Sequence, residues 1–374
     1  MPDAQGSKND HQINAETSDS YEHPQSIVVL RDFCTRAYGT DCERCALACP
    51  HGAISYTDTG IPVIDKDACT YCGICLGICD AFSSTRVTMN DLHARIRRIA
   101  LRGEDVVLTC KENLFPGLDP AANVVVLPCL AALAPEFWTL ILAENIPVKI
   151  AADLAYCTDC PRAGDMGELL YSHAIETAEQ WSGRSVGWVE EIPEKEQLIK
   201  DLANPTGVDR RSAFTNIVGD VGDIASGKRR LRNSEVLQEF YERRERSRAL
   251  TRLNLGNATE FNSFAPEGHT KKTMWPKQQM LLETIERDPD IADKVPVVVS
   301  ETDCSLCTNN LSCTTVCPTS ARYPSPTDGT LAFDVRYCVG CGLCVSACSQ
   351  GAIELIETTA RIFHKKDDGK KEQS

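Results

Sequence analysis

Cys69-Thr-Tyr-Cys72-Gly-Ile-Cys75-Leu-Gly-Ile-Cys79 and Cys338-Val-Gly-Cys341-Gly-Leu-Cys344-Val-Ser-Ala-Cys348 share one spacing, C-x2-C-x2-C-x3-C, at opposite ends of a 374-residue chain. Four thiols within eleven residues is the ligand spacing of a 4Fe–4S cluster. Such a cube takes one thiolate per iron, the soft donor iron prefers there. Two residues between cysteines allow a tight turn that brings both sulfurs to one cube. The same turn aims backbone N–H groups into a concavity, where they stabilise negative charge. The last gap, of three residues, carries the fourth sulfur about one helical turn further, so it tends to point away from its own cube. Zinc sites favour separated C-x2-C pairs, and a disulfide scaffold needs a secretory context. Neither suits these runs.

Working outward, each run has a companion on its N-terminal side. Cys34, Cys42, Cys45 and Cys49 precede the first; Cys304, Cys307, Cys313 and Cys317 precede the second. The two ends also repeat each other. Val28-Val29-Leu30 precedes Cys34 as Val297-Val298-Val299 precedes Cys304, and Cys49-Pro50 matches Cys317-Pro318. Gly60 to Asp65 leads to Cys69 at the same offset as Gly329 to Asp334 leads to Cys338, and His51-Gly-Ala-Ile54 recurs as Gln350-Gly-Ala-Ile353. A repeat of this kind argues for two copies of one supersecondary unit.

On these residues the segments Ile27–Val87 and Val295–Ile356 resemble the bacterial two-cluster ferredoxins, in which the fourth cysteine of each run ligates the other cluster. That resemblance implies four 4Fe–4S clusters. Cys34, Cys42, Cys45 and Cys79 would hold one, and Cys69, Cys72, Cys75 and Cys49 its neighbour. Cys304, Cys307, Cys313 and Cys348 would hold a third, and Cys338, Cys341, Cys344 and Cys317 a fourth. The sequence departs from the family in two gaps. Seven residues separate Cys34 from Cys42, and five separate Cys307 from Cys313, where the family usually has two. If the longer loop cannot return, Cys34 is not a ligand and its cube could become 3Fe–4S. Asp80 and Ser349 replace the proline that often follows the fourth cysteine, at positions that carry no ligand.

Four cysteines remain: Cys110, Cys129, Cys157 and Cys160. Each follows an expected strand, so all could gather at the carboxyl edge of one sheet, where open α/β folds bind ligands. They could hold a 2Fe–2S cluster, or zinc. They could equally be buried thiols or, at Cys157-Thr-Asp-Cys160, a redox-active dithiol. Pro128-Cys129, Pro135-Glu136-Phe137 and the later Cys157/Cys160 pair make this stretch similar to the delta subunit of methyl-viologen-reducing hydrogenase. That resemblance implies a 2Fe–2S cluster and docking on a flavoprotein, although only Cys110 stands where that family usually has a C-x-x-C-like group.

The expected fold class is α+β: two ferredoxin-like modules, each for two 4Fe–4S clusters, flanking a small α/β domain and a helical connector. Residues 1–26 read as a disordered tail, 27–95 as the first module with a basic helix near Asp91–Arg102, and 295–364 as the second, followed by a loose tail over 365–374. Between 104 and 192, Val106-Leu108, Val124-Leu127, Val148-Ala151 and Val186-Val189 read as short buried strands. Pro135–Asn145 and Met166–Trp181 have helical spacing, so the sheet should be largely parallel. Residues 193–294 read as a charged helical connector, with i,i+4 pairs Glu239/Arg243 and Glu242/Arg246 and a basic run Lys228–Arg232 that most simply forms a solvated face.

Formal charge is −14, and four oxidised cubes would take it to about −22. That disfavours nucleic-acid binding through the whole surface and favours docking on a basic patch of a redox partner: a flavoprotein, a hydrogenase or a molybdenum-enzyme subunit. The apolar stretch Val124–Ala143 is broken by Pro128, Pro135 and Glu136, so it reads as strand and helix and not as a membrane span. Met1 to Gln25 is polar, with no signal-peptide core, and thiols awaiting iron need a reducing compartment, so a cytoplasmic location is expected. Gly222 to Lys228 only nearly matches a phosphate-binding loop, since Arg229 stands where Ser or Thr should bind magnesium. His51, after Cys49-Pro50, is placed to tune or shield a cluster. No residue set makes or breaks a substrate bond. The chain therefore reads as an iron–sulfur electron-transfer subunit of a larger oxidoreductase. The alternative is a thiol/disulfide oxidoreductase acting through the middle cysteines.

Overall fold

In a computed structural model, residues 27–153, 155–195 and 272–364 are described. The pairs Glu239/Arg243 and Glu242/Arg246, the run Lys228–Arg232 and the near phosphate loop lie outside them. The fold mixes helix and strand, as α+β requires.

The N-terminal stretch is built from short pieces, because its loops serve cysteines more than a core. β1 (Ile27–Val29) pairs antiparallel with β4 (Phe82–Ser84), and β2 (Ile54–Tyr56) with β3 (Pro62–Ile64). α1 (Arg44–Leu47) and α2 (Ile74–Ile78) are single turns between them. The C-terminal stretch repeats the plan with longer outer strands. β9 (Pro296–Thr302) pairs antiparallel with β12 (Ile353–Thr359), and β10 (Arg322–Pro324) with β11 (Leu331–Phe333). There the single-turn helices are α8 (Ser312–Thr315) and α9 (Leu343–Ser346).

The middle is a four-stranded parallel sheet in the order β6-β5-β7-β8, with β5 at Val106–Cys110, β6 at Val124–Leu127, β7 at Val148–Ile150 and β8 at Gly187–Trp188. Strands buried on both faces read as continuous apolar runs, as Val106-Val107-Leu108 does. α3 (Met89–Ala100) opens on a capping box, in which Thr88 and Asp91 satisfy each other's backbone N–H. It buries Leu92, Ile96 and Ile99 at helical spacing. α4 (Pro135–Ala143) starts on proline and is apolar after its first turn except at Thr139, so Phe137 to Ala143 are all buried. α6 (Gly164–Ser182) ends on left-handed Gly183. The stretch Val124–Ala143 is thus strand then helix, and no described helix is long and apolar enough to cross a membrane.

The connector's described end differs from a merely charged helix. α7 (Pro276–Arg287) is amphipathic and buries Met280, Leu281, Thr284 and Ile285. Met280 joins the central core with Phe137, Trp138 and Leu108, while Leu281 and Ile285 join a second core with Val299, Ala360 and Phe363. At its start, the Lys277 N–H donates to Asp80 Oδ1 (3.1 Å), and Lys277 Nζ donates to the Leu76 carbonyl (3.0 Å). Asp80 thus ties α7 to the N-terminal stretch.

Candidate iron–sulfur sites

The crossed pairing expected of the cysteines has a geometric counterpart. One concavity is lined by Cys49, Cys69, Cys72 and Cys75, with Pro50, His51 and Gly73 among its other walls. A second is lined by Cys317, Cys338, Cys341 and Cys344. A third is lined by Cys307, Cys313 and Cys348. In each, the cysteine of one run faces those of its companion. Cys304 is exposed and is not among the lining residues of the third. Among the described residues no group of three or more His, Cys, Asp or Glu is arranged to hold a lone metal ion.

The set Cys34, Cys42, Cys45 and Cys79 is linked by charge. Burial pushes the Cys34 thiol up and the N–H groups of Ala37 and Arg36 draw it down, while the sulfurs of Cys79 and Cys42 push it up again. Burial raises Cys45 to about 11 against a hydrogen bond with Tyr56, and Cys79, Cys42 and Cys34 add to the rise. The seven-residue stretch between Cys34 and Cys42 folds into a compact turn. A 3-10 turn, Arg36–Tyr38, closes on left-handed Gly39 and buries Ala37. The Arg36 guanidinium then lies 4.1 Å from the Tyr56 ring centroid and donates to the Cys42 carbonyl at 3.4 Å. The shorter insertion closes on asparagine. Asn309 Oδ1 accepts the Leu331 N–H at 2.7 Å, Asn310 Nδ2 donates to Gln350 Oε1 at 3.0 Å, and Leu311 takes a left-handed backbone to start α8.

The donor chemistry fits iron–sulfur clusters. Backbone N–H groups already point at sulfurs: Ala53 at Cys49 and Ala352 at Cys348, both 3.3 Å, and Ala81 at Cys79, 3.4 Å. These are the hydrogen bonds that stabilise bound thiolate. Other sulfurs of these sets lie deeper and close to one another. Burial raises Cys75 strongly, and the charges of Cys72, Cys69 and Cys49 raise it further. Burial likewise holds Cys341 well above an ordinary thiol, with Cys344, Cys338 and Cys317 adding to it. Metal binding at such thiols would release their protons.

The middle four cysteines also come together. Cys110 ends β5, beside the place where strand order reverses, and Cys129 follows β6. Cys157 lies on a short helix, α5 (Ala155–Thr158), and Cys160 precedes α6, so the pair stands on a loop with its own helical turn, ahead of the longer helix. Burial raises Cys157 to about 11 against the Tyr171 hydroxyl, and the sulfurs of Cys110 and Cys160 add to it. Burial raises Cys129 to about 12, and Cys110, Cys72 and Cys157 act in the same direction. Cys72 belongs to the neighbouring set, so the two sites adjoin. Asn113 Nδ2 donates to Cys110 Sγ at 3.1 Å. Gly167 leaves room beside Cys129, since a Cβ there would stand 3.2 Å from its sulfur.

Three functional contacts were not legible in the motifs. Arg162, just past Cys160, donates to the Thr70 carbonyl (2.7 Å) and to Glu112 Oε1 (2.8 Å); its own carbonyl accepts from Thr70 Oγ1 (2.6 Å) and lies 3.1 Å from His51 Nε2. It joins the middle cysteine loop to the Cys69–Cys72 turn, and His51 faces both. Tyr56 serves Cys45, and Arg322 lines the concavity of Cys317. For Arg322 a signal existed: it occupies the repeat position that Ile54 holds at the other end.

Comparison with known proteins agrees with the C-terminal geometry. Residues 297–349 match the family model of the 4Fe–4S dicluster domain. A stretch of 43 residues is 46% identical to one subunit of the sulfite dehydrogenase of Allochromatium vinosum, covering 12% of this chain and 18% of that protein. No solved structure matches. Residues 297–349 are therefore a 4Fe–4S dicluster domain, with the iron–sulfur electron-transfer role which that implies.

Proposed function

We propose that this chain is a multi-cluster electron-transfer subunit of a larger oxidoreductase. It would have two-cluster modules at 27–95 and 295–364 and a fifth centre in the α/β domain at 104–192. The observation that carries this reading is the set of concavities, each walled by cysteines from two different runs. Cys34, Cys42, Cys45 and Cys79 would hold one 4Fe–4S cluster, and Cys49, Cys69, Cys72 and Cys75 the next. Cys304, Cys307, Cys313 and Cys348 would hold the third, which requires exposed Cys304 to turn toward its three companions. Cys317, Cys338, Cys341 and Cys344 would hold the fourth, and Cys110, Cys129, Cys157 and Cys160 a 2Fe–2S cluster. When bound, these groups supply one-electron transfer. The chain's own residues position the sulfurs, direct N–H groups at them and bury them in apolar walls.

Direct thiol chemistry at the middle pair has less support. A nucleophilic cysteine needs a lowered pKa, and burial moves Cys157 the other way. A partner is supported by the relative's name, which makes that protein one subunit of a dehydrogenase, and by a formal charge of −14, suited to a basic docking face. Iron and acid-labile sulfide in anaerobically purified protein test the assignment. Four cubes and a 2Fe–2S cluster require about 18 irons per chain. Fewer than about twelve would defeat the four-cube assignment.

A further inference from the structure

Arg322 is a wholly buried cation, 1% exposed, on β10. Its Nε and Nη2 both donate to Ser300 Oγ, at 3.2 and 3.0 Å, and Nη1 donates to Thr302 Oγ1 at 2.6 Å. The guanidinium stands 4.6 Å from the Phe333 ring centroid. Hydroxyls and a ring satisfy its hydrogen bonds but do not cancel its charge. Among the described residues no carboxylate pairs with it, whereas Arg162 has Glu112, Arg287 has Glu144 and Lys277 has Asp80. An isolated buried charge is strongly unfavourable, so burial of this kind points to an anion nearby.

What surrounds it is sulfur. Arg322 lines the concavity formed by Cys317, Cys338, Cys341 and Cys344, and the Ser300 hydroxyl it grips lies 3.8 Å from Cys338 Sγ. Cys344 of that lining packs in one buried cluster with Cys313 of the other C-terminal set. Packing alone does not demand arginine. In the sequence repeat, Cys49-Pro-His-Gly-Ala53 is followed by Ile54, Cys348-Ser-Gln-Gly-Ala352 by Ile353, and Cys317-Pro-Thr-Ser-Ala321 by Arg322. Ile54 and Arg322 begin matching strands, paired with Ile64 and Phe333.

We propose that Arg322 is a built-in counter-cation for the C-terminal 4Fe–4S clusters, one that raises their reduction potentials above those an isoleucine would give. This rests on the cluster assignment above. On reduction each site gains one electron, no bond forms or breaks, and the site becomes one unit more negative. A fixed buried cation favours that change.

The test is an EPR-monitored redox titration with dithionite on the full-length holoprotein, its C-terminal signals identified by their loss in Cys341→Ser. R322I should keep its iron and sulfide while the C-terminal signals appear at lower potential. The expected shift is at least tenfold in the one-electron equilibrium, about 59 mV, with N-terminal signals unmoved. R322Q, which keeps donors without charge, should shift the same way, and R322K should stay near wild type. Loss of C-terminal iron from both neutral variants with R322K intact would also support the proposal, because charge is then the requirement. Unchanged potentials in fully loaded R322I and R322Q overturn it and leave the cluster assignment standing. Wild-type protein without C-terminal iron overturns the assignment instead.

Discussion

Gly77 shows how closely the N-terminal sulfur loop is pressed onto the turn that follows Cys129. It lies on α2 between Cys75 and Cys79, and a Cβ there would collide with the Ala131 carbonyl oxygen. Ala131 sits in the turn after Cys129, so glycine at 77 keeps two cysteine sites adjacent. Two effects oppose each other in Gly77→Ala. Helix propensity favours alanine by about 1 kcal/mol, and overpacking against backbone disfavours it by about 1–3 kcal/mol. Because a carbonyl on a buried turn cannot swing aside as a side chain would, overpacking should win. Denaturant unfolding should show the variant less stable than wild type; a more stable variant would mean the interface is loose. Arg162 makes the second residue-scale tie. Its replacement by alanine removes donation to Thr70 and to Glu112 together. Each hydrogen bond to a charged group contributes about 1.5–3 kcal/mol. Amide exchange should therefore quicken in two sequence-distant places, the 69–72 turn and the 156–163 loop. Quickening in only one of them would show that Arg162 does not couple them.

Elements are held together here by few, concentrated contacts. Glu144, at the C-cap of α4, is nearly buried and receives His93 at 2.9 Å and Arg97 at 3.7 Å from α3, and Arg287 from α7. One carboxylate thus pins three helices. Glu144→Ala should lower global stability by about 2 kcal/mol. Glu144→Gln should lose less, since it keeps an acceptor but not the charge. Equal losses would mean charge is irrelevant at this junction. The sheet strands and α3, α4 and α6 were legible in the sequence because each carries its own signal: an apolar run, a capping box, a leading proline. The crossed cysteine sets were expected from the resemblance to two-cluster ferredoxins, and three concavities are lined by cysteines of two runs in keeping with it. The inserted loop before Cys42 was not legible. Its turn has Arg36 stacking on Tyr56, twenty residues away, and spacing cannot reveal that contact. The buried face of α7 was hidden by its charged neighbours, and the Arg162 and Glu144 ties join segments far apart in the chain.

At the scale of the whole molecule, hydrophobic packing is unevenly shared. The central core gathers α3, α4, α6 and the sheet around Phe137, Trp138 and Leu108, and reaches Ile74 of the N-terminal stretch. The N-terminal cluster of buried residues is Cys34, Ala37, Cys45, Ile54, Ala81 and Phe82, and among the described residues the cluster at Cys313 has Cys344 and Ile353 buried, with Leu331, Val345 and Cys348 partly buried against it. Where cysteines themselves make up the core, little apolar area remains to offset chain entropy once the metal is gone. Metal binding and folding are then coupled locally. β9 and β12 differ from the rest of the C-terminal stretch, because Val299 of β9, Ile356 of β12 and, in the turn after β12, Ala360 and Phe363 share a core with Leu281 and Ile285 of α7. Removing iron with a chelator under reducing conditions should therefore unfold the molecule in parts. Amide exchange should rise sharply through α1, β2, β3, α8, β10, β11 and α9. Val107, Leu108 and Ile150, inside the parallel sheet, should remain protected, and β9 should lose less than β10. Far-UV circular dichroism would fall only partly, and thermal unfolding of the apo chain would report the central sheet alone. Uniform loss of protection across all strands on chelation would show instead that the sulfur sites and the sheet fold as one unit, with Gly77, Arg162 and Glu144 coupling them more strongly than the division of apolar area implies.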